Sequence, residues 1–410
     1  MSIVGVIAEY NPFHNGHKYL LDEAAKITRS EYSISIMSGN FMQRGTPAIA
    51  DKYSRAESAI YGGLDAVFEL PVLYATGSSR DFAMGGVALM DKMNVVDYIV
   101  FGAEDEEMGI FDEVSSILAE EPEEYKKQLN DYISKGLSFP AASEKAIKKI
   151  MGESINEIIS KPNNILVISY ITALKKLNSK IKPIIIRRND SGYLNSELTG
   201  KHSSATAIRN AITDGKDITE YVPKNTLKPY KNYIKKELPD ANWLTPYINS
   251  RIIYDRNLKR EISMLDMTLD MTQEILNRLR KAPLPTKYVE LADYLKTKNI
   301  TMTRVRRILL HMVLGISKDD RELAKSSGYG EYLNLLAVNK KSTGLIKMIE
   351  EKGALTIINK KSEFKPQTEI GSRLWDLDKL STDIYNQLLY ENLKIRNRGE
   401  LTSTVKTVLP

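Results

Sequence analysis

Residues 3–17 read IVGVIAEYNPFHNGH, a short apolar run followed by a histidine motif. The first six residues are mostly β-branched and apolar, which predicts a buried strand, and a helical pattern begins near Gly16. Between the two lies a His-x-Gly-His motif made by His14 and His17. A buried strand followed at once by a helix begins a βαβ unit, and ligands of such sheets bind at the carboxyl ends of the strands.

The alternation of apolar runs and helical patterns continues through the first half of the chain. Four more strands are predicted, at Ser33–Met37, Ala66–Leu70, Tyr98–Phe101 and Pro183–Arg187. A mostly helical, acidic insertion over residues 105–180 interrupts this pattern. Short strands rich in Ile and Val, separated by helices, predict an α/β fold with a doubly wound, Rossmann-like parallel sheet.

The second half has a different pattern. Its apolar residues recur at helical spacing, as at Met264, Met267 and Met271, which predicts a mainly α-helical region. A Pro- and Lys-bearing stretch at residues 222–229 separates the halves. We therefore predict two domains, a nucleotide-binding domain over residues 1–220 and a basic helical domain over residues 221–410.

Composition excludes several classes of protein. The 410 residues contain no cysteine, so disulfide scaffolds, Cys-ligated zinc, iron–sulfur clusters and thiol nucleophiles are ruled out. The N-terminal apolar run stops at Glu9 and has no basic residues before it, which is too short for a signal peptide or a membrane span. We expect a cytoplasmic protein with no membrane partner.

Charge is distributed unevenly between the halves. Residues 1–220 carry 24 basic and 30 acidic side chains, a net charge of −6, whereas residues 221–410 carry 34 and 22, a net charge of +12. Such asymmetry predicts a basic module that binds a polyanion. A solvated basic surface without a partner is the alternative.

The histidine motif suggests phosphate chemistry. His14 and His17 share one face of the first helical turn, whose N–H groups and dipole favour a phosphate. Two imidazoles can hydrogen-bond the oxygens of an ATP α-phosphate under attack without forming a covalent intermediate. We predict both as catalytic residues. The alternatives are histidines that only cap or pack, and a metal site, which would be incomplete because no third ligand beyond Glu9 is evident.

A second element supports this interpretation. The last predicted strand ends in Arg187 and Arg188, and after a glycine-containing loop Ser204 and Thr206 open a helix. Their hydroxyls and the neighbouring amides can hold phosphates, while Arg209 can neutralise a departing pyrophosphate. Helix capping alone would also explain the Ser/Thr pair.

These residues resemble a known superfamily. His14-x-Gly-His17 and Ser204-x-Thr206-x-x-Arg209 resemble the motifs of the HxGH nucleotidylyltransferases, with Ala205 in place of one serine. Longer stretches look like the bacterial tRNA(Met) cytidine acetate ligases, namely residues 6–17, 37–45, 68–71, 101–104 and 161–166. This resemblance runs in order across the first domain, and the length and basic second half also fit.

The resemblance implies a two-step reaction. Acetate attacks the α-phosphate of ATP to give acetyl-adenylate and pyrophosphate. The N4 amine of the wobble cytidine of elongator tRNA(Met) then takes the acetyl group. ATP with Mg²⁺, acetate and tRNA(Met) are thus the implied partners; no protein partner is indicated, and a homodimer is left open.

The resemblance also assigns ATP contacts. Its nucleotide loop corresponds to Ile7, Ala8, Glu9, Tyr10, Asn11, Pro12, Phe13, His14, Asn15, Gly16, His17, Lys18, Tyr19 and Leu20. Further contacts fall on Gly102, on the Asn163–Asn164 pair and on the Arg187–Arg188 pair, without a choice within either pair. A glycine after a strand lets an adenosine lie against the backbone, and an asparagine can read an adenine or ribose edge. The alternative is that the asparagines only cap a helix starting at Ile165.

Two further groups are predicted. Gly39, Gln43 and Arg44 follow the second strand and could form an acetate pocket, with Arg44 as the carboxylate partner. An ordered turn with an exposed arginine is the alternative. Residues 301–312 predict an amphipathic helix with arginines outward, which suits an RNA backbone or a plain solvated face. We therefore predict tRNA contacts at Arg304, Arg306 and Arg307.

Two other function classes remain open. An adenylyltransferase could move AMP from ATP to a small phosphorylated cofactor precursor, although the basic half would then have no role. A non-catalytic RNA-binding protein with a degenerate nucleotide domain is the second. The Lys-Met-Ser-Lys-Ser loop of many class I aminoacyl-tRNA synthetases is absent, which argues against an aminoacylating enzyme.

Overall fold

The sheet confirms the predicted α/β class. The computed structural model describes residues 2–152, 155–188, 198, 203–234, 237–258 and 263–410. In these residues eight strands form one sheet: β1 (Ile3–Ala8), β2 (Tyr32–Ser38), β3 (Ala66–Leu70), β4 (Tyr98–Ala103), β5 (Lys182–Arg187), β6 (Leu333–Asn339), β7 (Ile357–Ile358) and β8 (Lys406–Val408). All five strands predicted in the first half are present.

The order of the strands locates a ligand cleft. The first five strands lie in the order β5-β4-β1-β2-β3 and are parallel to their neighbours. The chain leaves β1 toward β2 on one side and later returns to β4 on the other. This reversal opens a crevice at the carboxyl ends of β1 and β4, where open α/β sheets bind their ligands.

Helices cover both faces of the parallel strands. The first half contains α1 (Asn15–Thr28), α2 (Lys52–Tyr61), α3 (Val72–Ala75), α4 (Ser79–Lys92), α5 (Met108–Glu120), α6 (Glu123–Ser134), α7 (Phe139–Met151), α8 (Asn156–Ile159), α9 (Pro162–Lys176) and α10 (Ala205–Thr213). The helices α5 to α9 form the predicted insertion. Of these, α9 packs on both α4 and α5, so the insertion is joined to the sheet's core.

The second half is mainly helical, as predicted. It contains α11 (Thr245–Asn257), α12 (Gln273–Lys281), α13 (Tyr288–Leu295), α14 (Met302–Leu314), α15 (Lys318–Ser326), α16 (Thr343–Lys352) and α17 (Glu369–Leu393). The methionine stretch is an exception, because residues 263–272 form turns. Helix α12 starts only after them, where the Thr272 hydroxyl accepts a hydrogen bond from Ile275 N at 3.3 Å.

Three strands of the second half were not predicted. Strand β6 pairs antiparallel with β3, and β7 and β8 pair parallel with β6. The apolar run of β6 is rich in leucine, a strong helix former, so local pattern does not distinguish strand from helix there. The second half therefore completes the sheet of the first.

The stretch that separates the two predicted domains, with the residues beside it, packs against the first half. Asn15 N donates to Tyr221 O at 3.0 Å, and the Ser58 hydroxyl donates to Thr226 O at 2.8 Å. Tyr230 is fully buried. The domain boundary near residue 220 stays a prediction. Within the described ranges, no helix is both long and apolar enough to cross a membrane.

Candidate active site

The two histidines cap the N-terminal turn of α1. His14 is the N-cap, and its Nδ1 accepts from Gly16 N at 3.1 Å, while His17 Nδ1 accepts from His14 N at 3.2 Å. The two rings stack with their centroids 3.8 Å apart. This reciprocal arrangement is a capping box built from imidazoles. The capping alternative is thus part of the structure, and it orients both rings.

The hydrogen bonds also define the protonation state. Because each Nδ1 accepts a hydrogen bond, the proton of each neutral ring sits on Nε2, which makes Nε2 a donor. Burial, and then the charge of Arg188, lower the pKa of His17 to about 3. His17 is therefore neutral at physiological pH. It can donate one hydrogen bond to an anion without carrying a charge of its own.

The loop between β1 and α1 is held by α10. Asn11 O accepts from Arg209 at 2.7 Å, and a second guanidinium nitrogen of Arg209 donates to the Thr206 hydroxyl at 3.0 Å. Ser204 caps α10, since its hydroxyl accepts from Ala207 N at 3.1 Å. Capping is therefore one role of Ser204. The glycine-containing loop predicted before it falls mostly on residues 189–197 and 199–202, outside the described residues.

On the other side of the crevice, one asparagine of the pair faces the cavity. Asn163 lines it and accepts from Arg188 at 3.5 Å. Asn164 instead accepts from Glu104 N and donates to Asp105 and Ile158 O, all within 3.1 Å. Helix α9 starts at Pro162 rather than Ile165, so both asparagines lie inside its first turn and neither is the N-cap.

Gly102 has a structural reason to be glycine. A Cβ atom there would lie 3.1 Å from Cγ and 3.3 Å from Cδ of Arg188, closer than most contacts of a Cβ atom. Arg187 and Arg188 both line the cavity, with Arg187 exposed at its rim. The β4 and β5 ends therefore supply a glycine, an asparagine and two arginines to one wall.

The loop after β2 forms the opposite wall. Gln43 N donates to the Glu9 carboxylate at 2.7 Å, which ties this loop to the end of β1. Gln43 and Arg44 line the cavity. Gly39 does not, because it faces the buried Glu69, whose carboxylate would lie 2.4 Å from a Cβ. The predicted place of Gly39 in an acetate pocket therefore finds no support.

Most residues predicted for the ATP site meet in one cavity. Those that line it are Ile7, Ala8, Glu9, Tyr10, Asn11, His14, Gly16, His17, Tyr19, Leu20, Gly102, Asn163, Arg187, Arg188, Ser204, Thr206 and Arg209. Five predicted residues do not line it: Pro12, Phe13, Asn15, Lys18 and Asn164. Phe13 is buried against Tyr10, Asn15 donates to Glu220 O and Lys18 pairs with Asp22.

Eleven lining residues, most of them apolar, were missed. They are Val6, Met42, Thr46, Phe82, Val100, Phe101, Leu166, Val167, Tyr170, Ile186 and Ala205. Leu166, Val167 and Tyr170 lie three, four and seven residues after Asn163, so helical spacing from that asparagine could have found them. Phe82 carries no such signal, because the packing of α4 on the sheet brings it to the cavity.

The arginines of α14 do not point freely outward. Arg304 donates to Asp270 O at 3.2 Å, and Arg307 pairs with the Asp270 carboxylate at 3.4 Å. The backbone of Arg306 packs closely against Gly45. A Cβ atom on Gly45 would lie 2.6 Å from the carbonyl carbon of Arg306. All three are half-buried, so the basic face is only partly exposed, and the tRNA contacts predicted on it stay a prediction. Helix α14 instead supports the loop that carries Gln43 and Arg44.

The fold and this site are those of a HIGH nucleotidyl transferase, and the family model of that description matches residues 1–400. A Caldanaerobacter subterraneus subsp. tengcongensis protein named tRNA(Met) cytidine acetate ligase is 40% identical over 399 residues, covering 96% of this chain and 97% of the relative. One from Acetivibrio thermocellus with the same name is 34% identical over 412 residues, covering 98% of each. The chain belongs to the tRNA(Met) cytidine acetate ligase family of HIGH nucleotidyl transferases.

Solved structures agree with this assignment. The crystal structure of apo Thermotoga maritima TmcAL superposes with a TM-score of 0.92 at 28% identity, covering all of both chains. The form of that protein bound with alpha-thio ATP has a TM-score of 0.89 at 27% identity over the same coverage. The family resemblance read from the sequence motifs is confirmed.

Proposed function

We propose that the chain is an ATP-dependent acetate ligase that acetylates tRNA(Met). An acetate oxygen attacks the α-phosphorus of ATP, and the bond to the pyrophosphate leaving group breaks. The N4 amine of the wobble cytidine then attacks the acetyl carbonyl, forming an amide and releasing AMP. N4-acetylcytidine, AMP and pyrophosphate are the products.

One observation carries the proposal. The cavity at the reversal point of the sheet joins two imidazole donors, a helix N-terminus and arginines from two walls. No protein nucleophile is required, because acetate and then the cytidine amine attack. Charge develops on the phosphate oxygens and the leaving pyrophosphate, and fixed donors stabilise such charge most effectively inside a largely dry site.

Each residue is assigned to one part of the ATP molecule by its position in the cavity. His14 and His17 face the end of β1 and are assigned to the α-phosphate through their Nε2–H groups. Arg209, with the amides at the start of α10, is assigned to the leaving pyrophosphate. Gly102, Asn163 and Arg188 are assigned to the nucleoside side.

The acetate is assigned to the loop after β2. Arg44 provides the positive charge that a carboxylate requires, and Gln43 lies beside it at the cavity. Met42 and Phe82 add an apolar wall suited to a methyl group. These assignments place acetate and ATP on opposite walls, with the histidines between them.

Magnesium is expected to arrive with the nucleotide. No group of three His, Asp or Glu side chains within the described ranges could hold a metal, and the Glu9 carboxylate at the cavity already accepts from Gln43 N. The triphosphate and water would therefore supply most ligands of a bound Mg²⁺, as is usual for this ion.

The basic second half is proposed as the tRNA-binding domain. Its net charge of +12 suits a phosphate backbone, and its packing against the loop at Gln43 and Arg44 brings it beside the cavity. A cytoplasmic location is proposed with it, because the tRNA substrate is there.

Nucleoside analysis tests the function directly. Purified protein is incubated with ATP, Mg²⁺, radiolabelled acetate and bacterial tRNA, and the tRNA is digested to nucleosides. We expect label in N4-acetylcytidine. Label in no nucleoside, together with an AMP-containing small-molecule product, would instead favour an adenylyltransferase.

A further inference from the structure

Arg55, on α2, is a buried cation with an unusual set of partners. Its side chain has no exposed surface. Nε donates to Ala50 O at 3.1 Å, one terminal nitrogen donates to Glu9 O, and the other donates to Ser38 O at 2.9 Å and to Gly39 O. All four acceptors are backbone carbonyl oxygens.

Lys52 on the same helix shows the contrast. Its ammonium pairs with two carboxylates, those of Glu69 and Glu400. A buried charge is normally compensated in this way, because removing an ion from water costs several kcal/mol. Arg55 is held by carbonyl dipoles instead. Burying a charge in this way is costly, so we ask what it achieves. The planar, forked guanidinium can join several acceptors at fixed angles, which an ammonium cannot do.

Three of the four carbonyls belong to the segments that form the site. Glu9 directly follows β1 and begins the loop to His14, while Ser38 ends β2 and Gly39 begins the loop to Gln43 and Arg44. The Glu9 residue joins the two loops a second time, because its carboxylate accepts from Gln43 N. Arg55 itself does not line the cavity.

We propose that Arg55 is a positioning residue that sets the distance between the two walls. Its guanidinium holds the carboxyl ends of β1 and β2 together, so that the histidine loop and the Gln43–Arg44 loop face each other across the cavity. This inference rests on the proposed function, in which ATP and acetate bind on these opposite walls. A displacement of about 1 Å between reacting groups costs on the order of 100-fold in rate.

Two substitutions separate positioning from charge. Arg55→Met removes both the charge and the hydrogen bonds, whereas Arg55→Lys keeps the charge but loses the fork. The readouts are the kcat of acetate-dependent ATP–pyrophosphate exchange and the Kd for ATP. We expect both variants to lose about 100-fold in kcat, with Kd changing less than about threefold, because the nucleoside wall at β4 and β5 does not depend on Arg55.

Hydrogen exchange supplies a readout independent of activity. Peptides covering residues 9–16 and 39–47 should exchange faster in both Arg55 variants than in the parent protein. Lys52→Met is the matched control on the same helix, measured at a temperature at which it is folded. It should lower Tm without changing kcat and without loosening residues 9–16.

The outcomes distinguish the inference from the function on which it rests. A parent protein without acetate-dependent exchange would overturn the proposed function, while the hydrogen-exchange comparison would still test the positioning. Arg55→Lys with nearly full kcat would overturn the inference, since charge alone would then suffice. A parallel loss of kcat and ATP affinity, or the same kcat loss in Lys52→Met, would overturn it too. If Arg55→Met does not fold, Arg55→Lys carries the test.

Discussion

Two of the regions that bury polar side chains differ in how they do so: the cavity at the end of β1, and a charge cluster formed by Lys52, Glu69, Lys361, Asp378 and Glu400. In the cluster, charges cancel. Lys52 lies 2.7 Å from both Glu69 and Glu400, while burial and then the charge of Glu69 raise the pKa of Asp378. Cations and carboxyl groups thus face one another.

The cluster joins parts of the chain that are distant in sequence. Glu69 lies on β3 and Asp378 on α17, while Asn334 on β6 donates to Glu69 at 2.6 Å and to Glu400 at 3.2 Å. These contacts connect the C-terminal segment to the parallel strands. The cluster therefore stabilises the fold. Its groups form ion pairs and hydrogen bonds with one another, so no ligand is needed to compensate them.

The cavity buries polar groups in another way. The histidines are neutral and oriented by backbone N–H groups, and the arginines of its walls lie around a space large enough for a ligand. Burial alone therefore does not mark a functional site. What distinguishes the cavity is that imidazoles, a helix N-terminus and arginines all line one open space.

The largest expected effect is on the cluster. Lys52→Met leaves two carboxylates buried without their cation, which should lower the free energy of unfolding by about 3–5 kcal/mol. Urea denaturation measures this. Lys126→Met is the control, because its ion pair with Glu123 is exposed and should contribute less than about 0.5 kcal/mol. A loss below about 1 kcal/mol for Lys52→Met would contradict the proposed role of the cluster.

In the cavity, the expected effect is on rate instead of stability. His17→Asn keeps a side-chain acceptor for His14 N but removes the Nε2–H donor. Acetate-dependent ATP–pyrophosphate exchange should fall by about 10²–10³-fold, or roughly 3–4 kcal/mol of transition-state stabilisation. His17→Ala should lose a similar amount of rate and, in addition, about 1 kcal/mol of stability through the lost cap. Equal exchange rates in His17→Asn and the parent would exclude the assigned role.

The lowered pKa of His17 should make the stability of the protein depend on pH. The pKa of His17 is lowered from 6.5 to about 3 in the folded state, so below pH 6.5 the unfolded chain takes up a proton that the folded protein does not. Stability should therefore fall as the pH falls from 6.5 toward 3, by about 2–3 kcal/mol between pH 7 and pH 4 from this residue. His17→Asn should lack this contribution. Parallel stability profiles of parent and variant would contradict it.

Substitutions of the two adjacent asparagines should separate an effect on stability from an effect on ATP binding within one helical turn. Asn164→Ala removes several buried hydrogen bonds and should cost about 1–3 kcal/mol of stability with little change in Kd for ATP. Asn163→Ala should instead raise the Kd for ATP by several-fold and change stability less. Thermal unfolding and ATP titration of both variants check this, and a reversed result would exchange the two assignments.

The smallest effect is expected on α14. Changing Arg304, Arg306 and Arg307 together to Ala should weaken tRNA binding by less than about tenfold while leaving acetyl-adenylate formation in place. The effect is small because Asp270 already engages two of the three side chains. A filter-binding assay at fixed salt measures it, since such affinities depend strongly on ionic strength. A loss of 100-fold or more would show that these arginines contact tRNA directly.

Much of the site could be predicted because its residues follow strands. Strand and helix patterns are local, and parallel strands bring their carboxyl ends to one edge, so His14, Ser204 and the Arg187–Arg188 pair could be grouped from the sequence, while Gly102 came from the family resemblance. The choice between Asn163 and Asn164 could not be made, because both lie in one helical turn and only their neighbours differ.

Other features depended on contacts between distant segments. Helix periodicity predicted an outward direction for Arg304 and Arg307, but it does not reveal that Asp270 contacts both and that they are half-buried. Gly39 follows a strand and is a residue type common in loops at ligand sites. The side chain of Glu69 nevertheless occupies the space beside it.

The sequence by itself determined the parallel strands, the helical insertion, the histidine motif and the charge of the second half, because each is a local pattern of residue types. Only the tertiary structure decided that β6 joins the sheet, that Glu400 reaches Lys52, and that Arg55 binds the ends of β1 and β2. The physical reason is that these contacts form between residues far apart in the chain. Their energies come from strand pairing, apolar burial and buried polar contacts, whose partners no local pattern in the sequence identifies.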